Sequence, residues 1–108
     1  MHTHQDSFCD FVLDQLNELE NVRARKMFSG YGFYAGATFF AIISNNHLYF
    51  KTDEITKKKF EQYNMQPFAP SKRQVLKNYY EVPEEIIENR ETLTLWAREA
   101  ITTSIFSH

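Results

Sequence analysis

Between Phe8 and Leu19 the apolar residues fall at spacings of three and four: Phe8, Phe11, Val12, Leu16 and Leu19, with Gln15 on the same stripe. That period puts them on one side of a helix and Asp10, Asp14 and Glu18 on the other. A helix over about residues 7 to 20 is expected, capped by Asp6 or Ser7, with Cys9 at the margin of the stripe. At Val22 the period changes to two. Val22, Ala24, Lys26 and Phe28 alternate with Arg23, Arg25 and Met27, which reads as a strand charged on one face.

The next stretch, Met27-Phe28-Ser29-Gly30-Tyr31-Gly32-Phe33-Tyr34-Ala35-Gly36, holds all three glycines of the protein, interleaved with four aromatics. Such a mixture predicts a tight turn around Gly30 to Gly32, with Met27, Phe28, Phe33 and Tyr34 packing the sheet on either side. Phe33-Tyr34-Ala35 is the return strand, and Gly36-Ala37 turns the chain again into the β-prone run Thr38-Phe39-Phe40-Ala41-Ile42-Ile43. Ser44-Asn45-Asn46 is a further reversal, because asparagine tolerates left-handed backbone angles. His47-Leu48-Tyr49-Phe50-Lys51 then alternates once more as a strand.

Thr52 or Asp53 can cap a second helix from Glu54 to about Tyr63, which ends before Pro67. Phe68 and Val75 to Val82 form a second hairpin with Lys72-Arg73 at its tip, and Pro67 and Pro70 place its first strand at an edge. Pro83 followed by Glu84 and Glu85 is a helix start. Asn89 divides the C-terminal stretch into a short turn and a terminal helix over about residues 90 to 105. The order α-β-β-β-β-α-β-β-α defines an α+β domain: an antiparallel β-sheet of about five to six strands with helices packed on one face.

At 108 residues the chain is one domain, 1–108, with residues 1 to 5 expected to be disordered. Its 16% aromatic content favours a well-packed core over disorder. The net charge of −2 argues against a general nucleic-acid or membrane-surface binder. A single cysteine, no signal-peptide pattern and no apolar run near the roughly 18 residues needed to span a bilayer together indicate a cytoplasmic protein without a membrane partner.

Chemistry-bearing motifs are sparse. Gly30-Tyr31-Gly32 lacks the third glycine and the following helix of a dinucleotide site. Cys9 reads as a structural thiol. His2, His4 and His108 lie on tails without structural-metal spacing, and His47 reads as a solvent-facing residue at a strand end. Glu81, Glu84, Glu85, Glu88 and Glu91 form an acidic patch best explained as a solvated helix face. No catalytic, cofactor or metal residue is assigned, and no cofactor is expected. Charge is uneven, however. Residues 51–77 hold Lys51, Lys57, Lys58, Lys59, Lys72, Arg73 and Lys77 against Asp53, Glu54 and Glu61, and Arg23, Arg25 and Lys26 form a second basic cluster.

Arg25-Lys26-Met27-Phe28-Ser29-Gly30-Tyr31-Gly32-Phe33-Tyr34, Phe39-Phe40-Ala41-Ile42-Ile43 and Leu48-Tyr49-Phe50-Lys51-Thr52-Asp53 resemble the TfoX (Sxy) N-terminal domain family. So do Pro67-Phe68 and Tyr79-Tyr80-Glu81-Val82-Pro83-Glu84-Glu85 followed by Trp96-Ala97. The resemblance spans nearly the whole chain and implies an antiparallel α+β fold. It also implies regulation of natural bacterial competence, together with a transcription regulator at competence promoters. The family's longer members carry a helical C-terminal domain, whereas this chain ends at His108, so a stand-alone N-terminal-like domain is expected. It identifies no catalytic group.

The expected function is therefore a non-catalytic regulatory or protein-interaction module. Arg23, Arg25, Lys26, Tyr31 and Tyr34 are the candidate partner contact. The alternatives are nucleic-acid binding through Lys57, Lys58, Lys59, Lys72 and Arg73, and a small-ligand pocket near Tyr31, Tyr49, Tyr80 and Trp96. Exposed sheet edges in so small a domain also suggest a homodimer.

Overall fold

The computed structural model describes residues 4–27 and 29–106, with side chains from Asp6 onward. Along the chain come α1 (His4–Gln15), β1 (Val22–Met27), β2 (Gly30–Ala35), β3 (Thr38–Ser44), β4 (His47–Lys51) and α2 (Lys57–Gln62). They are followed by β5 (Pro67–Ser71), β6 (Gln74–Glu81), α3 (Glu84–Ile87) and α4 (Arg90–Phe106). The six strands form one sheet in the order β1-β2-β3-β4-β6-β5, with every neighbouring pair antiparallel.

Local chemistry accounts for most joints. Asn45 and Asn46 both have positive φ, 51° and 64°, between the paired residues Ser44 and His47. This is the two-residue turn whose twist matches a hairpin. Asp53 Oδ1 accepts the amides of Ile55 and Thr56, while Thr56 Oγ1 accepts the amide of Asp53. The helix therefore starts at Lys57, later than the expected Glu54, with Thr56 at its N-cap position; Asp53 closes the turn ahead of it, and Thr52 is buried. After α2, Asn64 (φ 62°) donates to Glu61 O and Met65 donates to Phe60 O, the paired bonds that close a helix through a left-handed residue. Asn89 caps α4 through its side chain on the Thr92 amide, which explains the break after α3.

Three expectations need correction. Gly30 and Gly32 do not make the turn; both lie within β2, paired with Met27 and Arg25. A Cβ at Gly30 would sit 2.0 Å from Ile43 O, and one at Gly32 would sit 2.5 Å from Met27 Sδ and Phe39 Cε1. These glycines provide space rather than a reversal. Gly36, with φ +61° and nothing near its Cβ position, is the one that turns the chain. The first helix ends at Gln15; Leu16 to Leu19 unwind through i→i−3 bonds before Asn21 (φ 60°). Cys9 is in the core rather than at its margin, at 3% exposure, while Phe11 is 43% exposed. Phe28 lies outside the described residues, as do residues 1–3 and His108, and with them much of the expectation for the N-terminal tail and the histidine ends.

The core fills the space between one sheet face and the helices. Phe33, Ala41, Ile43, Leu48 and Phe50 project from the sheet toward Val12, Leu16, Leu93, Ala97 and Ala100, all essentially inaccessible to water. A register shift beside Phe33 and Tyr34 lets Phe40 join them, edge-on to Phe33 at 6.4 Å and 6.1 Å from Phe50. Gln15 Nε2 donates to Ile87 O at 2.9 Å, and Arg90 reaches Asp14 at 3.0 Å, so α1 is tied to the α3–α4 junction. The edge strands carry their own protection: three cations on β1 and two prolines on β5. Among the described residues no helix is long and apolar enough to cross a membrane.

Candidate functional site

All helices pack on one side, so the alternate residues of the strands form a second, helix-free face. Strand pairing places Arg23, Arg25 and Met27 of β1 there, with Gly30, Gly32 and Tyr34 of β2 and Phe39, Ile42 and Ser44 of β3. His47, Tyr49 and Lys51 of β4 and Tyr79 and Glu81 of β6 continue it. A row of rings and cations crosses this face. The Arg23 guanidinium lies 5.1 Å above the Tyr34 ring, Tyr34 is 5.2 Å from Phe39, Phe39 is 6.1 Å from Tyr79, and Lys51 Nζ is 5.2 Å above Tyr79. Cations over ring faces are held by the ring quadrupole, so both ends of the row are fixed. Burial, with Tyr34 beside it, pushes the Tyr79 hydroxyl up to about 12.

Beside the row the sheet hollows into a groove of about 440 Å³. Gly30 lies at its floor with Ile42; Met27 and Phe39 form one wall; Phe68, Pro70 and Leu76 of the β5–β6 hairpin form the other. The absence of side chains at Gly30 and Gly32 keeps the floor low. Phe68 is fixed by stacking on Tyr49 at 4.5 Å. A smaller hollow of about 400 Å³ opens on the helical side between Phe8, Phe11, Leu48 and Ile87, rimmed by Glu81, Glu84 and Glu88. At the sheet end that borders this hollow, His47 Nδ1 and Glu81 Oε2 are 2.6 Å apart, so His47 has a carboxylate partner. Among the described residues, no group of three or more His, Cys, Asp or Glu side chains is placed to hold a metal ion.

The candidate contact residues divide between the two faces. Arg23, Arg25 and Tyr34 share the open one. Tyr31 points to the helical side, where its hydroxyl donates to Asp6 Oδ1, and that bond pushes it up to about 12. Lys26, paired with Tyr31, lies on that side too and is exposed. Of the second basic set, Lys57 is 3.0 Å from Glu54, and Lys59 is bonded to Glu99 while lying 4.6 Å from the Trp96 ring. Lys58 is exposed. Lys72 and Arg73 sit at the β5–β6 turn, whereas α2 packs near Tyr80 at the other end of β6, up to about 20 Å along a strand of this length. These five cations therefore make two separate patches. Nor do the four aromatics of the supposed ligand pocket line one cavity. Tyr31 and Tyr80 face helices, Tyr49 faces the other way against Phe68, and Trp96 packs between Phe60 and Tyr63 at 4.9 and 5.7 Å.

The groove residues Phe39, Ile42, Phe68 and Leu76 were not singled out by pattern. The signal was present in β3, where Phe39-Phe40-Ala41-Ile42-Ile43 is apolar on both faces, as in a strand covered on both sides.

Covered by helices on one side and helix-free on the other, this is an α+β domain built on a single antiparallel sheet. Residues 14–104 match the family described as the TfoX N-terminal domain. The chain is also 34% identical over 90 residues to the DNA transformation protein TfoX of Haemophilus influenzae, covering 80% of this chain and 40% of that protein. The chain therefore belongs to the TfoX N-terminal domain family. It corresponds to less than half of that relative's length.

Proposed function

We propose that this chain is a non-catalytic regulatory domain that acts in the cytoplasm by docking on a protein partner, a transcription regulator, in the control of DNA transformation. Its place in a family with a DNA transformation protein supports the process. The observation that carries the mode of action is the helix-free sheet face, which Arg23, Arg25 and Tyr34 share with the groove lined by Met27, Phe39, Ile42, Phe68 and Leu76. Lys26 and Tyr31 belong to the same hairpin but face the helical side. Interfaces are enriched in arginine and tyrosine because these side chains bring large area and directional contacts at low entropic cost.

Affinity capture from the native cell tests the reading. Arg25→Ala combined with Tyr34→Ala is expected to lose a transcription regulator that the unmodified domain retains. Identical captures would remove this contact. The exposed pair Lys72-Arg73 supports a second reading, direct nucleic-acid binding, with Lys57, Lys58 and Lys59 as a separate patch. It requires retention on DNA or RNA at low salt that falls steeply as salt rises; no retention at low salt would exclude it.

A further inference from the structure

The acidic residues are concentrated outside the sheet. The six strands carry Arg23, Arg25, Lys26, Lys51 and Lys77 but a single carboxylate, Glu81, which is engaged by His47. The other thirteen of the protein's fourteen acids lie in helices and connecting segments. The division is sharpest at the open groove. Among the described residues that line it there is no Asp or Glu, while Arg25 stands two residues before Met27 on the same sheet face and Lys72-Arg73 form the turn between Pro70 and Gln74. The lining combines Met27, Phe39, Ile42, Phe68, Pro70 and Leu76 with the uncharged polar residues Ser44, Asn45 and Gln74, and the exposed cations Arg25 and Lys72-Arg73 are its sequence neighbours on the two hairpins.

We infer that this groove receives an acidic peptide segment of the partner, which inserts one bulky apolar side chain between Phe39 and Leu76 and sets carboxylates against Arg25 and the Lys72-Arg73 turn. The inference rests on the docking reading above and specifies its surface and chemistry. The groove, at about 440 Å³, has room for a large aliphatic or aromatic side chain together with part of its flanking peptide, and an apolar anchor in a desolvated pocket supplies most of the affinity of such contacts. The cations on the two hairpins steer an acidic chain and reject a basic one. A nucleic-acid strand fits less well. The rings of Tyr34, Phe39 and Tyr79 are tilted 53–54° against one another, and Arg23 and Lys51 lie over the end rings, so the row offers no set of parallel faces for successive bases.

The test uses the full chain and a displayed library of random dodecapeptides. Selection is expected to enrich peptides with one large apolar residue flanked by Asp or Glu. Fluorescence anisotropy of the best peptide should show roughly tenfold or greater weakening with Lys72→Glu/Arg73→Glu, a pair of exposed turn positions that leave the fold intact. Ile42→Asp should abolish binding, with circular dichroism confirming the fold. Glu84→Gln, at the opposite hollow, should leave it unchanged. Enrichment of basic or featureless peptides, no enrichment, or binding indifferent to Lys72→Glu/Arg73→Glu would overturn the inference. So would tighter binding of a single-stranded oligothymidine competed by the same variants. If affinity capture still retains a partner that Arg25→Ala/Tyr34→Ala loses, while the groove variants change nothing, the docking reading stands and the groove assignment alone fails.

Discussion

The three glycines occupy three different physical situations, and replacing each by alanine separates them. At Gly30 the new Cβ would lie 2.0 Å from Ile43 O and 3.1 Å from Ile43 C, both backbone atoms of the neighbouring strand. Relief requires β2 and β3 to part by more than 1 Å, about the difference between that distance and an ordinary carbon–oxygen contact. The ladder bonds near the Gly30–Ser44 and Tyr31–Ile43 pairs then lengthen or break. Losing one or two, with their groups left poorly satisfied, costs about 2–4 kcal/mol. At Gly32 the clashing atoms are the ends of Met27 and Phe39 side chains, which can swing aside into the groove; the cost is about 0.5–1.5 kcal/mol. At Gly36 nothing is close, and only φ +61° opposes a side chain. Alanine there costs about 1 kcal/mol, whereas asparagine costs a few tenths because it tolerates that backbone region. Urea or thermal unfolding monitored by circular dichroism measures all four variants, with each kcal/mol worth roughly 4 °C in a domain of this size. If Gly30→Ala were no worse than Gly36→Ala, or Gly36→Asn as damaging as Gly36→Ala, this assignment of roles would be wrong.

Other consequences arise from the core, the caps and the titrating groups. Phe50→Ala should cost about 3–5 kcal/mol in chemical denaturation, because the ring is fully buried beside Phe40 and the neighbouring helices limit collapse of the space. Asp53→Ala should cost about 1 kcal/mol at neutral pH through loss of its bonds to Ile55 and Thr56. Those bonds hold the Asp53 carboxyl below its ordinary range, so this contribution is present above the unfolded pKa and disappears as pH falls through the lower folded value. Tyr31 and Tyr79, both pushed to about 12, bind their protons more tightly folded than unfolded. Their share of stability is complete below about pH 10 and is lost as pH rises toward 12, which spectrophotometric titration should show as late ionisation that Asp6→Asn advances for one tyrosine. Cys9, raised to about 11 by burial with Asp10 and Asp6 nearby, should resist a thiol reagent at pH 8 in the native protein and react at once in denaturant.

Much of the fold was legible because its punctuation is local. Asn45-Asn46, Pro83 and Asn89 act within a few residues of themselves, so sequence shows both their position and their effect. The alternation of β1 likewise exposes its edge character, since Arg23 and Arg25 cannot be buried without partners. The glycines were misread for a reason of the opposite kind. Gly30 is required by Ile43 of another strand, thirteen residues away, and no local pattern distinguishes a glycine that turns from one that makes room. Cys9 moved into the core because α1 packs against both the sheet and α4, which widens its buried side beyond the simple stripe. The groove was the least legible feature. It joins Met27 to Leu76 across two hairpins, and its existence depends on irregular pairing between β5 and β6 that bends Phe68 and Pro70 over the sheet.

The central claim is that this domain works through its helix-free face. Amide chemical-shift mapping of the isotope-labelled chain, titrated with the captured partner or the best selected peptide, tests it most directly. Saturable shifts are expected at Arg25, Gly32, Tyr34, Ile42 and the Lys72-Arg73 turn, with α2 and α4 quiet. Shifts concentrated on α2, α4 or the hollow beside Phe11 and Glu84, with the open face unchanged, would contradict the account.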